Sequence, residues 1–389
     1  MIIIDMRKKP KFDHSCAIIL VVIFSIGTLG CGEGESASAI SSGWFHTCAL
    51  TNAGAVKCWG NNKMGQLGDN TKRDSKTPVE VFGLSSGVKA ISAGRFHTCA
   101  ITAGGRVQCW GDNGYGQLGD GTRMYKANKP VNVSGLSSGV SAISAGGHHT
   151  CALTNEGAVL CWGWNEAGQL GDGTQTPNSI IPVKVFRLSG AKSIACGFAH
   201  TCALTQAGGV KCWGWNVAGQ LGDGTYVNKN IPTDVLGLSS GVKAVSLGFS
   251  HTCALSNEGR VKCWGYNEFG QLGDGSWETK TTPIEVLGIS SEVIAISAGF
   301  THSCALTFQG GVKCWGGNQF GQLGDKSKTN KNVPTDVYKL SSEVRAISAG
   351  WLHTCAINHS EKVFCWGRND FGQLGMSFSH KVPAEVRGF

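Results

Sequence analysis

Residues 91–122 read ISAGRFHTCAITAGGRVQCWGDNGYGQLGDGT, and close variants of this stretch occur seven times between Ile40 and Phe389. The histidine at its seventh position gives the register, because the seven copies of this residue follow one another at intervals of 51 or 52: His46, His97, His149, His200, His251, His302 and His353. Such a period indicates structural units that are each too small to bury their own apolar faces. We therefore expect one large repeat domain over residues 40–389.

The composition and the strand pattern favour an all-β fold. The chain has 57 glycines, 9 prolines and only 15% charged residues, which suits a protein rich in tight turns. Each copy contains four strand-like pieces, which in the second copy are residues 88–92, 98–102, 106–110 and 130–133. Seven four-stranded sheets arranged radially bury both faces of each sheet against its neighbours. The sequence thus predicts a seven-bladed β-propeller of about 51-residue repeats, with the tryptophan of each Cys-Trp-Gly packed between blades.

Two cysteines ten residues apart lie on the two arms of a hairpin in every copy. In the first copy Gly54 supplies the positive φ of a three-residue loop, and counting back from this loop places Cys48 opposite Cys58. Directly opposed side chains of antiparallel strands are close enough for a disulfide. We predict one disulfide per blade: Cys48–Cys58, Cys99–Cys109, Cys151–Cys161, Cys202–Cys212, Cys253–Cys263, Cys304–Cys314 and Cys355–Cys365.

Metal binding is the alternative role for these cysteines, since a histidine precedes the first cysteine of each copy by two residues. A ten-residue spacing without a C-x-x-C motif favours disulfides over zinc. For the histidines we expect neutral imidazoles that bond to the backbone across blade junctions. We therefore predict no metal and no other cofactor. Cys196 lies outside the pairs and is expected to be a small buried thiol.

The first thirty residues have the features of an export signal. The basic residues Arg7, Lys8, Lys9 and Lys11 precede an apolar run over residues 16–29. This run is shorter than the ~20 residues that a membrane-spanning helix needs. Residues 1–30 are therefore interpreted as a signal peptide.

Two cleavage sites follow this run. Thr28-Leu29-Gly30-Cys31 resembles a lipoprotein box and favours cleavage before Cys31, lipidation of its sulfur and a flexible tether over residues 31–39. The alternative is Ala37-Ser38-Ala39, where signal peptidase would release a soluble secreted or periplasmic protein that begins at Ile40. The first site predicts an exported lipoprotein of the bacterial cell envelope, which contacts the membrane only through its lipid anchor.

Candidate binding residues are large side chains at positions where the copies differ, because aromatic and arginine anchors supply most binding energy. The first such column follows the glycine of Ile-Ser-Ala-Gly and contains Trp44, Arg95, Phe198, Phe249, Phe300 and Trp351, with Gly147 in the third copy. The second column follows Cys-Trp-Gly and contains Trp164, Trp215, Tyr266 and Arg368, with Asn61, Asp112 and Gly317 in the other copies. Both columns lie near strand ends, so we expect them around the central opening at one end of the propeller. The alternative is that these side chains pack on the next blade.

The motifs W-G-x-N-x-x-G-Q-L-G-D and G-x-x-H-T-C-A-L closely resemble those of the regulator of chromosome condensation repeat family, over residues 40–389. The resemblance implies a seven-bladed propeller. In that family the sequence repeat is often offset from the structural blade, which makes residues 40–43 and 383–386 candidate partners in a closing blade. The founding member is a nuclear exchange factor for the Ran GTPase, an activity that the export signal and the uniform copies disfavour here. A secreted bacterial member that inhibits β-lactamases is the closer analogue in its mode of binding.

These observations predict a non-enzymatic, monomeric scaffold that binds a protein partner through the loops of one face. Catalysis needs one asymmetric constellation of groups, whereas the polar columns of this chain are repeated. A carbohydrate ligand is the alternative, because stacked tryptophan and tyrosine rings also suit sugars. The formal charge of +8 is spread among the loops, so nucleic acid is not expected as a partner.

Overall fold

The computed structural model describes residues 36–174, 176–289 and 292–389, and within them every regular element is a β-strand. The proposed signal peptide (1–30) and Cys31 lie outside the described residues. The 28 strands form seven separate four-stranded antiparallel sheets, as the repeat predicts. In these described parts of the chain no helix is long and apolar enough to cross a membrane.

The four strands of each blade follow one another along the chain. The innermost strands are β1 (Ala37–Ser42), β5 (Val88–Ala93), β9 (Val140–Ala145), β13 (Ala191–Cys196), β17 (Val242–Leu247), β21 (Val293–Ala298) and β25 (Val344–Ala349). The second strands are β2 (His46–Thr51), β6 (His97–Thr102), β10 (His149–Thr154), β14 (His200–Thr205), β18 (His251–Ser256), β22 (His302–Thr307) and β26 (His353–Asn358). The third strands are β3 (Val56–Gly60), β7 (Val107–Asp112), β11 (Val159–Trp164), β15 (Val210–Gly214), β19 (Val261–Gly265), β23 (Val312–Gly316) and β27 (Val363–Gly367). The outer strands are β4 (Ser75–Glu80), β8 (Lys126–Asn132), β12 (Asn178–Lys184), β16 (Lys229–Asp234), β20 (Lys280–Glu285), β24 (Lys331–Asp336) and β28 (His380–Glu385).

The predicted hairpin and its disulfide are confirmed in every blade. In the first blade the Thr51 N–H donates to the Ala55 carbonyl across a loop in which Gly54 has a φ of 79°. This register places Cys48 directly opposite Cys58, and the two sulfurs are bonded. The other six predicted pairs are bonded in the same way. All fourteen cysteines are buried, so reductants have no direct access to the bonds.

The core consists of seven apolar clusters, each between two neighbouring blades. One cluster joins Leu50, Val56 and Leu67 of the first blade to Ala100 and Trp110 of the second. The tryptophan of each Cys-Trp-Gly is fully buried, and its indole N–H donates to the carbonyl of the Gly-Gln-Leu-Gly glutamine in the preceding blade. The tryptophans therefore form the inter-blade column that the sequence predicts.

The expectation of a closing blade shared by the two termini is wrong. Residues 40–43 and 383–386 belong to the first and last blades respectively, because each copy supplies all four strands of its own sheet. The ring closes by side-on packing instead. Trp59 donates to the Gln373 carbonyl at 3.0 Å, and the Ser42 N–H donates to the Ser348 hydroxyl at 2.8 Å.

The start of β1 also alters the expected tether over residues 31–39. Residues 37–39 lie in β1, where Ala37 is fully buried and the Ser38 hydroxyl donates to the Leu50 carbonyl at 3.0 Å. Cleavage after Ala39 would therefore remove half of this innermost strand.

A proline occurs in the outer strand of each blade. Proline lacks an N–H, and an edge strand tolerates this because its outward-facing backbone has no neighbouring strand to bond.

Candidate binding face

The seven repeat histidines form a closed ring of bonds between blades. His46 Nε2 lies 2.8 Å from the Thr98 hydroxyl of the next blade, and this hydroxyl donates to the Gln66 carbonyl. Since the hydroxyl proton is used in that second bond, the imidazole Nε2 carries a proton and donates. We had expected the imidazole to bond to a backbone group, but its partner is a side-chain hydroxyl.

Burial is the main cause that keeps these imidazoles neutral. Together with the neighbouring histidines it lowers the pKa of His46 to about 3. Burial likewise lowers the pKa of His97 to about 4 and that of His200 to about 3. In the described chain, the three candidate metal ligands that lie together are His149, Cys151 and Cys196. Cys151 is in a disulfide and His149 is bonded to the Thr201 hydroxyl, so this group is an ordinary part of the blade junction.

The aromatic residues of the first predicted column converge on the propeller axis. Trp44 lies at the centre of this cluster, with its ring centroid 5.4 to 5.8 Å from those of Phe198, Phe249, Phe300 and Trp351. Phe249 also lies 4.5 Å from both Phe198 and Phe300. We call these five residues the axial cluster. Their rings contact one another across the axis, so they pack as a unit and are each half-buried.

The axial cluster closes one end of the central channel. Behind it a cavity of about 200 Å³ is lined by the innermost strands and by Trp44, Phe198, Phe249 and Phe300. Serines of these strands connect neighbouring blades; the Ala145 N–H, for example, donates to the Ser92 hydroxyl. Cys196 lines this cavity, and burial raises the pKa of its thiol to about 12. The thiol is therefore protonated and unpaired, but the residue is half-buried and not fully buried as we had expected.

Arg95 occupies the first column in the second blade and is bound by polar and aromatic groups. Its guanidinium carbon lies 4.8 Å from the Trp44 ring centroid, and its Nη1 donates to His148 Nε2 at 2.7 Å. His148 Nδ1 in turn lies 3.7 Å from the Asp112 carboxylate. Burial acts to raise the pKa of Asp112, but His148 and the Gly114 N–H outweigh it, and the pKa lies below its usual range. Arg95 is therefore held in a charged network that the sequence did not reveal.

The second column surrounds the axial cluster on the same face. Trp164 lies 6.0 Å from Phe198, and Trp215 lies 5.8 Å from Phe249. The guanidinium of Arg368 lies 4.9 Å from the Trp351 ring. Asn61 and Asp112 are buried, whereas Trp164, Trp215, Tyr266 and Arg368 remain partly accessible. The structure thus brings the two predicted columns together at one end of the propeller.

A pocket of about 370 Å³ opens among the second-column residues of the fourth and fifth blades. Its aromatic walls are Trp215, Phe249, Tyr266, Phe269 and Phe300. Val217, Ala218, Ser250 and Thr301 complete the lining, and Val217 is 55% exposed at the rim. Sequence reasoning identified Trp215, Phe249, Tyr266 and Phe300 as candidates but missed the other lining residues, which are Val217, Ala218, Ser250, Phe269 and Thr301.

The fold and the arrangement of these side chains define a closed repeat propeller with an aromatic face at one end. The family model described as "RCC1-like domain" matches residues 24–239 and 192–389. The Ultraviolet-B receptor UVR8 of Arabidopsis thaliana is 34% identical over 350 residues, which cover 87% of this chain and 79% of the receptor. The chain therefore belongs to the RCC1-like domain family.

Other relatives share the propeller within different proteins. The human E3 ubiquitin-protein ligase HERC2 is 33% identical over 355 residues, which are 87% of this chain but only 7% of the ligase. Among solved structures, yeast RCC1 (Prp20) bound to Kap60 has a TM-score of 0.76 at 21% identity and covers 96% of this chain and 91% of its own. Human WBSCR16 has a TM-score of 0.74 at 24% identity and covers 83% of this chain and 87% of its own. These two similarities concern the fold.

Proposed function

We propose that this protein is a non-enzymatic scaffold of the bacterial cell envelope that binds a protein partner through its aromatic face. The observation that carries the proposal is the accessible second column, in which Trp164 and Trp215 contact the axial cluster, and Trp215 and Tyr266 line a pocket of about 370 Å³. Tryptophan, tyrosine and arginine are the residues that most often dominate binding energy at protein interfaces. A rigid propeller presents them without a large cost in conformational entropy.

A binding role suits the polar groups of the repeat better than catalysis does. The recurring histidines bond to hydroxyls of the next blade, and Asn62 bonds to Asp69 within its own turn. The histidines thus hold neighbouring blades together, and the Asn62–Asp69 bond stabilises its turn. The similarity to yeast RCC1, whose solved structure contains bound Kap60, is consistent with a propeller that recognises another protein.

Seven disulfides support export of the chain. Disulfides form and persist in oxidising compartments and are rare in the cytosol of mesophiles. All seven pairs are bonded in the structure. Together with the basic and apolar segments of residues 1–30 and the lipobox ending at Cys31, they favour an envelope lipoprotein over a cytoplasmic protein.

The test of partner binding is a pull-down from envelope extracts with the intact protein and two variants. The triple variant Trp164→Ala, Trp215→Ala, Tyr266→Ala should lose the partner while its melting temperature stays nearly unchanged. Trp277→Ala removes an exposed tryptophan that does not line the pocket and should retain the partner. Equal capture by all three proteins would contradict the proposal, and binding on a glycan array without any protein partner would favour the carbohydrate alternative.

Export and lipidation are tested separately. Globomycin, which blocks lipoprotein signal peptidase, should cause an unprocessed precursor to accumulate, and Cys31→Ser should do the same. Processing that is insensitive to globomycin, followed by release of soluble protein, would contradict the lipoprotein assignment.

A further inference from the structure

The pocket between Trp215 and Tyr266 differs from its counterparts in the other blades by two hydroxyl groups. Ser250 and Thr301 precede the repeat histidine and are 5% and 6% exposed, yet both line the pocket. Neither hydroxyl has a hydrogen-bond partner among residues 36–174, 176–289 and 292–389. The corresponding residues of the other copies are Phe45, Phe96, His148, Ala199 and Leu352. A ligand that fills the pocket would take these two hydroxyls out of water, so they favour a ligand with a polar atom at this position in an otherwise aromatic site.

The mouth of the pocket is acidic. The Tyr266 hydroxyl donates to the Glu268 carboxylate, and Glu268 is exposed beside the opening. Burial, followed by the contact with Glu268, raises the pKa of Tyr266 to about 12, so the hydroxyl stays neutral and remains a donor. Glu166, also exposed, occupies the same position of the repeat two blades earlier.

Two acidic groups of the corresponding turns in other blades are paired with cations, whereas in the described chain Glu268 is not. Asp370 is paired with Arg368, and Asp74 is paired with Lys63. Within the described residues, no lysine, arginine or histidine forms an ion pair with Glu166 or Glu268. The pocket therefore combines aromatic ring faces, two free hydroxyls and an unneutralised carboxylate.

We propose that this pocket receives the alkylammonium group of a lysine side chain presented by the protein partner. The methylene stem of lysine packs on the walls formed by Trp215 and Phe249, and the faces of aromatic rings attract a cation. The ammonium group has three N–H donors and no acceptor, and the hydroxyls of Ser250 and Thr301 supply acceptors for it. Glu268 contributes attraction at the entrance. This inference rests on the proposed function and specifies the chemistry of the partner segment.

Other occupants match the lining less well. An apolar side chain would cover Ser250 and Thr301 without giving either hydroxyl a partner. A sugar ring presents several hydroxyls that each need a hydrogen bond, whereas the lining supplies few polar groups beyond these two. The Glu268 carboxylate at the mouth also favours a positively charged occupant over an apolar side chain and over a neutral sugar.

The test compares two blocked pentapeptides, acetyl-Ala-Ala-Lys-Ala-Ala-amide and the same peptide with norleucine in place of lysine, titrated into the intact mature protein. Saturation-transfer NMR should show contact of the lysine methylene groups with the protein, and the norleucine peptide should bind about tenfold more weakly. Equal binding of the two peptides would overturn the inference, as would absence of detectable lysine-peptide binding at millimolar concentration.

Variants locate the site. Glu268→Gln should weaken binding of the lysine peptide several-fold, and the double variant Ser250→Ala, Thr301→Val should weaken it further. Glu258→Gln makes the same charge change in the same blade, but in the hairpin turn at the other end of β19, and should have no effect. An unchanged affinity in Trp215→Ala, with the fold verified by its melting temperature, would also overturn the inference. If the lysine peptide fails while partner capture still depends on Trp164, Trp215 and Tyr266, the inference falls and the proposed function stands.

Discussion

His353 Nε2 lies 2.9 Å from the Thr47 hydroxyl, and this contact joins the last blade to the first. The same hydroxyl donates to the Gln373 carbonyl at 2.8 Å. An equivalent pair of bonds at Thr201 joins the third blade to the fourth, where the partners are His149 and the Gln169 carbonyl. The closing junction is therefore built like the internal ones.

This equivalence predicts that Thr47→Val and Thr201→Val destabilise the protein to a similar extent. Each change leaves a buried imidazole N–H and a buried carbonyl with one bond fewer, which costs about 1–3 kcal/mol. Chemical denaturation with a common slope measures the two free energies of unfolding. A much larger loss for Thr47→Val would show that the closing junction has a special role.

The buried histidines predict a loss of stability in mild acid. Burial lowers the pKa of His97 from its usual 6.5 to about 4 and that of the other six repeat histidines to about 3, so below pH 6.5 the unfolded chain binds more protons than the folded chain. The free energy of unfolding should therefore be constant from pH 8 to 7 and fall as the pH drops below 6.5. Melting temperatures measured from pH 8 to pH 4 test this expectation.

A histidine variant separates this effect from that of carboxylates. His200→Asn removes one titrating group. As the pH falls below 6.5, the free energy of unfolding of the variant should therefore decrease less steeply than that of the unaltered protein, by up to about 1.4 kcal/mol per pH unit. An unchanged slope would show that His200 does not contribute to the acid sensitivity.

Glycines beside the histidines predict a sharp steric effect. A Cβ on Gly197 would lie 2.4 Å from His200 Cε1 and 2.6 Å from the Gly248 carbonyl oxygen. Because both neighbours are fixed, Gly197→Ala should cost more than about 2 kcal/mol. Gly104 has open space around it and no positive φ, so Gly104→Ala is the matched control and should be close to neutral. Similar melting temperatures for the two variants would contradict this account.

The two aromatic columns should respond differently to truncation. Trp44 contacts four other rings of the axial cluster, and Trp44→Ala should lower stability by about 3 kcal/mol. Trp164 lies beside the axial cluster and is partly accessible, so Trp164→Ala should lower the free energy of unfolding by less than about 1 kcal/mol. Thermal unfolding of both variants provides the comparison, and a reversed order would place the structural role in the second column.

Oxidation state provides a further test. Alkylation of the denatured but unreduced protein should leave the fourteen repeat cysteines unmodified, and mass spectrometry should find seven intact disulfides. The double variant Cys202→Ala, Cys212→Ala should lose about 2–3 kcal/mol, as a closed loop of about ten residues implies. Extensive labelling of the repeat cysteines would contradict both disulfide formation and export.

The strands and disulfides could be predicted because they depend on local features. The spacing of Cys48 and Cys58 about Gly54 determines their pairing within one hairpin. The histidines bond across blade junctions as predicted, but the partner atom is the Thr98 hydroxyl and not a backbone group, because the offset between blades that brings this hydroxyl into reach is not encoded in one copy. Whether the aromatic columns bind or pack could not be decided for a similar reason, since convergence on the axis depends on the closure of all seven blades. Ser250 and Thr301 could have been found from the sequence, because two neighbouring copies carry a small polar residue directly before the repeat histidine.

The contiguous blades have an evolutionary consequence. Because each sheet is encoded by one uninterrupted stretch of about 51 residues, unequal recombination between copies removes or inserts whole sheets and severs none. The new neighbours meet through the same histidine, threonine and tryptophan contacts as the old ones. The loops of each copy can therefore diversify separately while the contacts between neighbouring blades remain interchangeable.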